Sequence, residues 1–128
     1  MRLLFLGDVV GRAGRRAISE NLMKLRNDWR LDFVVVNGEN ATSGAGLSAM
    51  HARALLDAGA DVLTLGDHAF DQRDMLEFID KEPRILRPLN YGSVPGHGWG
   101  TFHAADGTEV AVVNSQGRST MIPIDNPF

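Results

Sequence analysis

The sequence contains no cysteine, which excludes a disulfide framework, a thiolate zinc site and a cysteine nucleophile at once. Any metal must then be held by oxygen and imidazole ligands. A long apolar run is also missing. The N-terminal stretch MRLLFL resembles the core of a signal peptide, but Gly7 and Asp8 break it and arginines follow. No stretch approaches the roughly 20 apolar residues needed to span a bilayer. Arg2 to Leu6 therefore reads as a buried strand, and the protein is expected in the cytoplasm with no membrane contact. Strong charge of one sign is lacking too. With 13 Lys+Arg against 16 Asp+Glu, the formal charge is −3, which does not support a mainly electrostatic grip on nucleic-acid backbone. A small phosphorylated ligand stays admissible.

Two phosphate-binding signatures are absent as well. A dinucleotide site needs Gly-x-Gly-x-x-Gly after the first strand, whereas Gly7, Gly11 and Gly14 are misplaced and Asp8 stands where a pyrophosphate would approach. No Gly-Lys-Ser/Thr tripeptide is present for a Walker loop. A dehalogenase-type aspartyl nucleophile would want a second aspartate two residues after Asp8, where Val10 sits.

What is present suits one globular domain over residues 1–128, with 44% hydrophobic and 23% charged residues. Arg2 to Leu6, Phe33 to Val36 and Val62 to Leu65 are short apolar runs bounded by glycine, the texture of parallel strands covered on both faces. Helical patterns lie between them. Ile18, Leu22, Leu25 and Trp29 form one apolar stripe. Ser48 can cap a second helix carrying Met50, Ala54, Leu55 and Ala58 and ending at Gly59; Asp71 can cap a third with Met75, Phe78 and Ile79. The strand ends fall about thirty residues apart, the length of a strand-helix-strand unit. We therefore expect an α/β fold with a mostly parallel sheet flanked by helices. Beyond Pro83 the texture turns to loop, followed by a hairpin of Gly100 to Ala104 and Val110 to Val113 around Asp106-Gly107. The ending Ile122 to Phe128 has no helix stop and reads as a chain truncated within its domain.

In a parallel sheet the C-terminal strand ends share one edge, where ligands bind. Asp8, Glu39, Asn40, Asp67 and His68 all fall there. One acid after a strand is commonplace, since Asp and Asn form turns and caps. Three strands ending in Gly-Asp, Gly-Glu-Asn and Gly-Asp-His are harder to assign to chance, each glycine being expected to let the backbone turn tightly. Carboxylates gathered on one edge repel unless cations lie among them, and oxygen with imidazole suits Mg, Mn, Fe or Zn. Arg12, Arg15 and Arg16 could steer a phosphate, although basic residues opening a helix are usually solvated. His51, His97 and His103 read as structural or solvated, and Trp29 and Trp99 as packing residues.

Gly7-Asp8-Val9-Val10-Gly11, Asn37-Gly38-Glu39-Asn40-Ala41 and Gly66-Asp67-His68 with Asp71 together resemble the YmdB-like bacterial branch of the calcineurin-like metallophosphoesterases. The resemblance continues through Arg87-Pro88-Leu89-Asn90 and Gln116-Gly117-Arg118 to Asp125-Asn126-Pro127-Phe128. It implies part of a metallophosphoesterase αββα sandwich and a dinuclear metal site that hydrolyses phosphodiesters, 2′,3′-cyclic nucleotides among them. By that resemblance Asp8 would bind one metal, Glu39 would bridge two, and Asp67 would bind the other, while Asn40 and His68 line the phosphate as catalytic residues. Two departures stand out. The family usually has Gly-Asn-His where this chain has Gly-Asp-His. Its members are also roughly twice as long, their second half supplying a lone histidine and a His-x-His pair. Two further readings follow: a metal- or nucleotide-binding module without turnover, and a fragment whose missing sheet is supplied by homo-oligomerisation.

Overall fold

A computed structural model describes residues 1–128. Four parallel strands, β1 (Leu3–Leu6), β2 (Phe33–Asn37), β3 (Val62–Thr64) and β4 (Ile85–Leu86), form a sheet in the order β1-β2-β3-β4. The register places Leu3 beside Phe33, Val35 beside Val62 and Leu63 beside Ile85. The helices α1 (Gly11–Trp29), α2 (Ala49–Asp57) and α3 (Met75–Phe78) provide the crossovers. The expected α/β fold with a parallel sheet is therefore present. It carries one strand beyond the three expected: β4 has two residues, pairs with β3, and makes an isolated bridge from Leu86 to His97.

Alternation along each strand divides the core in two. Val34, Val36, Leu63 and Ile85 face the helices and pack with Ile18, Leu22, Leu55 and Met75. Phe33, Val35, Val62 and Leu86 face the other way and meet Phe102, Ala104, Val110 and Val112. Those partners come from an antiparallel hairpin, β5 (Trp99–His103) and β6 (Glu109–Val113). Helices thus cover one face and a hairpin the other. The expectation that every strand is covered on both faces fails at β1, an edge strand whose Leu3 and Phe5 are exposed.

Local details correct the helix patterns. On α1, Ile18 and Leu22 are buried, but Trp29 is 52% exposed; Trp99, at 58%, is no packing residue either. Ser48 does cap α2, its hydroxyl accepting from His51 N–H at 3.3 Å. The buried face of α2 is nevertheless Ala49, Ala52, Leu55 and Leu56, with Met50 exposed. Asp71 does not cap α3, whose N-terminal neighbour is Asp74. Asp74 instead accepts from Ala49 N–H at the start of α2, at 2.9 Å.

The loop after β4 winds around a buried arginine. Arg87 donates to the carbonyls of Pro88 (2.9 Å), Leu89 (3.1 Å), Pro95 (3.3 Å) and Val94 (3.4 Å). Burial of a cation is tolerable only when its donors are satisfied, and here carbonyl dipoles do that. No helix is long and apolar enough to cross a membrane.

Candidate active site

The loops leaving β1, β2 and β3 meet at the carboxyl edge of the sheet. Backbone bonds join the first two: Val9 N–H donates to Asn37 O at 3.1 Å and Gly11 N–H to Asn40 O at 2.9 Å. Asp8 lies between them with φ +50°, a left-handed conformation that aspartate tolerates better than most residues. Its exposed carboxylate accepts from Asn40 Nδ2 at 2.9 Å. The tight turn is thus taken by the acid itself. None of the preceding glycines, Gly7, Gly38 or Gly66, has a positive φ.

Gly66 is required for a different reason. A Cβ built there would lie 2.0 Å from Glu39 Oε2 and 2.5 Å from its carboxyl carbon, so the half-buried Glu39 side chain occupies the space a methyl group would take. Asp67 is close enough to act on the ionisation of Glu39. Burial first, then the neighbouring Asp67 carboxylate, raises the Glu39 carboxyl above the usual carboxylate range, opposed by Asn37 and the His68 backbone. Asn37 Nδ2 reaches Glu39 Oε1 at 3.4 Å. Glu39 Oε2 and Asn37 Oδ1 are buried without a partner. Buried oxygens beside a second carboxylate match the donor chemistry of a hard or borderline divalent cation.

His68 follows directly. Its Nδ1 is 2.6 Å from Asp71 Oδ2 and its Nε2 3.8 Å from Asp67 Oδ2. The bond to Asp71 raises the imidazole above its ordinary pKa, with Asp67 and Glu39 adding to the effect. Asp71, expected as a helix cap, is instead the group that orients His68.

The predicted residues therefore assemble as an Asp8–Asn40 pair, a Glu39–Asp67 pair and an Asp67–His68–Asp71 run. No three histidine, aspartate or glutamate side chains are gathered tightly enough to hold one ion. Two of the three arginines are engaged elsewhere: Arg15 donates to Ala41 O, and Arg16 pairs with Glu20 at 2.6 Å. His51 is structural, with Nδ1 2.7 Å from Thr42 Oγ1.

A cavity of about 310 Å³ opens beside Glu39 and Asp67, and its far wall comes from the segment after β6, Asn114 to Gly117. Asn114 Nδ2 donates to Leu65 O (2.6 Å) and Leu86 O (2.9 Å). Tyr91 Oη stands 3.1 Å from Gly66 O and 2.9 Å from Gln116 Oε1. Burial and then the charges of Asp67, Glu39 and Asp71 raise the phenol above its usual range. Pattern reading gave Tyr91, Asn114 and Gln116 no role; the one sequence signal among them is that Gln116 falls in a motif string of the family.

Comparison with known proteins agrees with this geometry. A 2′,3′-cyclic-nucleotide 2′-phosphodiesterase from Bacillus subtilis is 43% identical over 129 residues, all of this chain and 48% of that protein. The crystal structure of a hypothetical protein from Thermus thermophilus superposes with TM-score 0.91 at 38% identity, over 99% of this chain and 49% of the other. A phosphatase from Mycoplasma pneumoniae gives TM-score 0.85 at 35% identity, covering 96% of this chain and 46% of the other. The chain thus spans about half the length of the curated relatives it matches. The family profile described as YmdB-like protein matches residues 4–128, and on that extent, with the strand-end acids in place, the chain belongs to the YmdB-like family.

Proposed function

We propose that this chain carries the sheet-edge half of a metal-dependent phosphodiesterase site, acting on 2′,3′-cyclic nucleotides or related small phosphodiesters. The observation that carries the reading is the Glu39 carboxylate, wedged against Gly66 with one oxygen buried and unpartnered and Asp67 alongside. Like charges so placed are costly unless cations compensate them. Asp8 and Asp67 would each hold one of two divalent ions, Fe, Mn, Mg or Zn, with Glu39 between them. The chemistry such a pair supplies when bound is acidification of water and neutralisation of phosphoryl charge.

The chain's own residues contribute orientation and a proton. Asn40 spends one Nδ2 proton on Asp8 and keeps the second for a phosphoryl oxygen. His68, held through Nδ1 by Asp71, presents Nε2 for stabilising the transition state or protonating the leaving oxygen. Asp67 supplies more negative charge than the asparagine usual in the family, which should tighten metal binding while weakening the metal's pull on water. The printed name of the Bacillus subtilis relative supports the choice of substrate class.

The absence of a gathered three-residue ligand group favours a second reading, a metal- or nucleotide-binding module without turnover. Elemental analysis of the purified chain, alongside hydrolysis assays with adenosine 2′,3′-cyclic phosphate and bis(p-nitrophenyl) phosphate, separates the two. We expect stoichiometric metal and metal-dependent hydrolysis. Bound metal without hydrolysis would establish the module, and self-association without metal would overturn both.

A further inference from the structure

The hairpin face and the parallel sheet meet at a polar seam that ends on the Gly66-Asp67 turn. Leu89 N–H donates to Asn114 O at 2.8 Å. One residue on, the buried Asn90 clasps the Gln116 backbone from both sides: its Nδ2 donates to Gln116 O at 2.9 Å, and its Oδ1 accepts from Gln116 N–H at 3.0 Å. With its backbone pinned, Gln116 extends its side chain to Tyr91, whose hydroxyl lies between Gln116 Oε1 and Gly66 O. Gly66 is the residue against which Glu39 is wedged, so a shift of its carbonyl changes the spacing of Glu39 and Asp67.

The hydrogen-bond inventory fixes how this contact works. Gly66 O already accepts from Ala69 N–H at 3.1 Å, and the single phenol proton is shared between that carbonyl and the Gln116 amide oxygen. The Gln116 amide thus faces the phenol, and the hydrogen bond with Tyr91 is what an amide at this position secures. The Tyr91 ring is positioned separately, tilted against Phe70 at a centroid distance of 6.5 Å. Loss of the hydroxyl alone therefore leaves its packing intact.

We propose that Tyr91 and Gln116 act as a latch, positioning the Gly66-Asp67 turn against Glu39 and so setting the geometry in which the two carboxylates receive a cation. Neither is a catalytic residue; both act through Gly66. The proposal rests on the phosphodiesterase reading for its effect on turnover, but not for its effect on the turn itself.

A double-mutant cycle on the full chain tests it, with Tyr91→Phe, Gln116→Ala and the pair. Mn²⁺ affinity is read by calorimetry, kcat and KM with adenosine 2′,3′-cyclic phosphate, and amide hydrogen exchange of Asp67 to Ala69 without metal. Each single variant should weaken Mn²⁺ binding and lower kcat by about 10- to 100-fold, as loss of a partner behind a metal ligand generally does, with KM and melting temperature little changed. The pair should be no worse than the worse single variant, the non-additivity of a shared contact. Exchange should accelerate at the turn and not in β2 or α1. Wild-type Mn²⁺ affinity and wild-type exchange in Tyr91→Phe would overturn the latch, as would fully additive losses. If the wild-type chain neither binds Mn²⁺ nor hydrolyses the ester, the functional reading fails. Exchange then decides alone: acceleration at Asp67 to Ala69 upholds the latch, and its absence rejects it.

Discussion

Two side-chain pairs stand on the same sheet edge, and they are held in opposite ways. Asp8 and Asn40 meet in the open, between a strained loop after the edge strand and the loop beside it, through one 2.9 Å bond. Glu39 and Asp67 meet at the centre, where burial raises the Glu39 pKa and a missing side chain at Gly66 makes the room. The first pair is exposed and joined by that hydrogen bond. The second leaves a buried oxygen unpartnered beside another carboxylate. Strand-end acids with the same sequence texture thus differ in what they require.

The largest test of that contrast is Glu39→Gln, which keeps shape and removes charge. Turnover should fall by about 10²- to 10³-fold, the scale of losing one preorganised electrostatic partner. Thermal stability without metal should be unchanged or higher, since repulsion with Asp67 is relieved. A destabilised variant would show that Glu39 is structural. Next comes Gly66→Ala, whose Cβ must displace the Glu39 carboxylate; overpacking should cost about 1–3 kcal/mol in urea unfolding, together with most of the metal affinity. Gly7→Ala is its control, because its Cβ meets only the Phe5 ring at 3.5 Å, and the change should stay within about 0.5 kcal/mol. Equal effects would erase the distinction between the strand ends. Asn40→Ala, on the exposed pair, should lower turnover by about 10- to 100-fold with metal stoichiometry retained.

The smallest effect is one of pH. His51 titrates below its ordinary value, first because of burial and then because of Arg15, with Asp74 opposing. Thr42 Oγ1, which accepts from Ser48 N–H at 2.9 Å, lies 2.7 Å from His51 Nδ1. The unfolded chain binds the proton more readily, so this contribution is present above the ordinary histidine pKa and is lost as pH falls through the lower folded value. Urea midpoints below about pH 6.5 should decline less in His51→Gln than in the wild type. Parallel declines would remove His51 from the explanation.

Period and punctuation made the first two crossovers, the Ser48 cap and the hairpin legible, because each is encoded within a few neighbouring residues. The edge position of Asp8, Glu39 and Asp67 followed from them. β4 was not legible: two residues cannot display a period, and Ile85 and Leu86 are a strand only through Leu63 and Thr64. The packing faces of α2 and the exposure of Trp29 were misread because a helix surface does not announce which side its neighbours will take. Asp71 resembled a cap until its bond to His68 was visible. The cavity wall was least accessible of all, with Asn114 reaching Leu65 across 49 positions of sequence, a distance that local chemistry does not register.

Arg87 gives the loop behind the latch an unusual constancy. Four carbonyl oxygens converge on its guanidinium, much as the oxygens of a crown ether converge on an ammonium ion, except that here the guest is covalently part of the host. The loop that delivers Asn90 and Tyr91 is therefore shaped around a planar cation held by the loop's own carbonyls. Lysine, a point charge with three donors, could not fill the same four-sided frame.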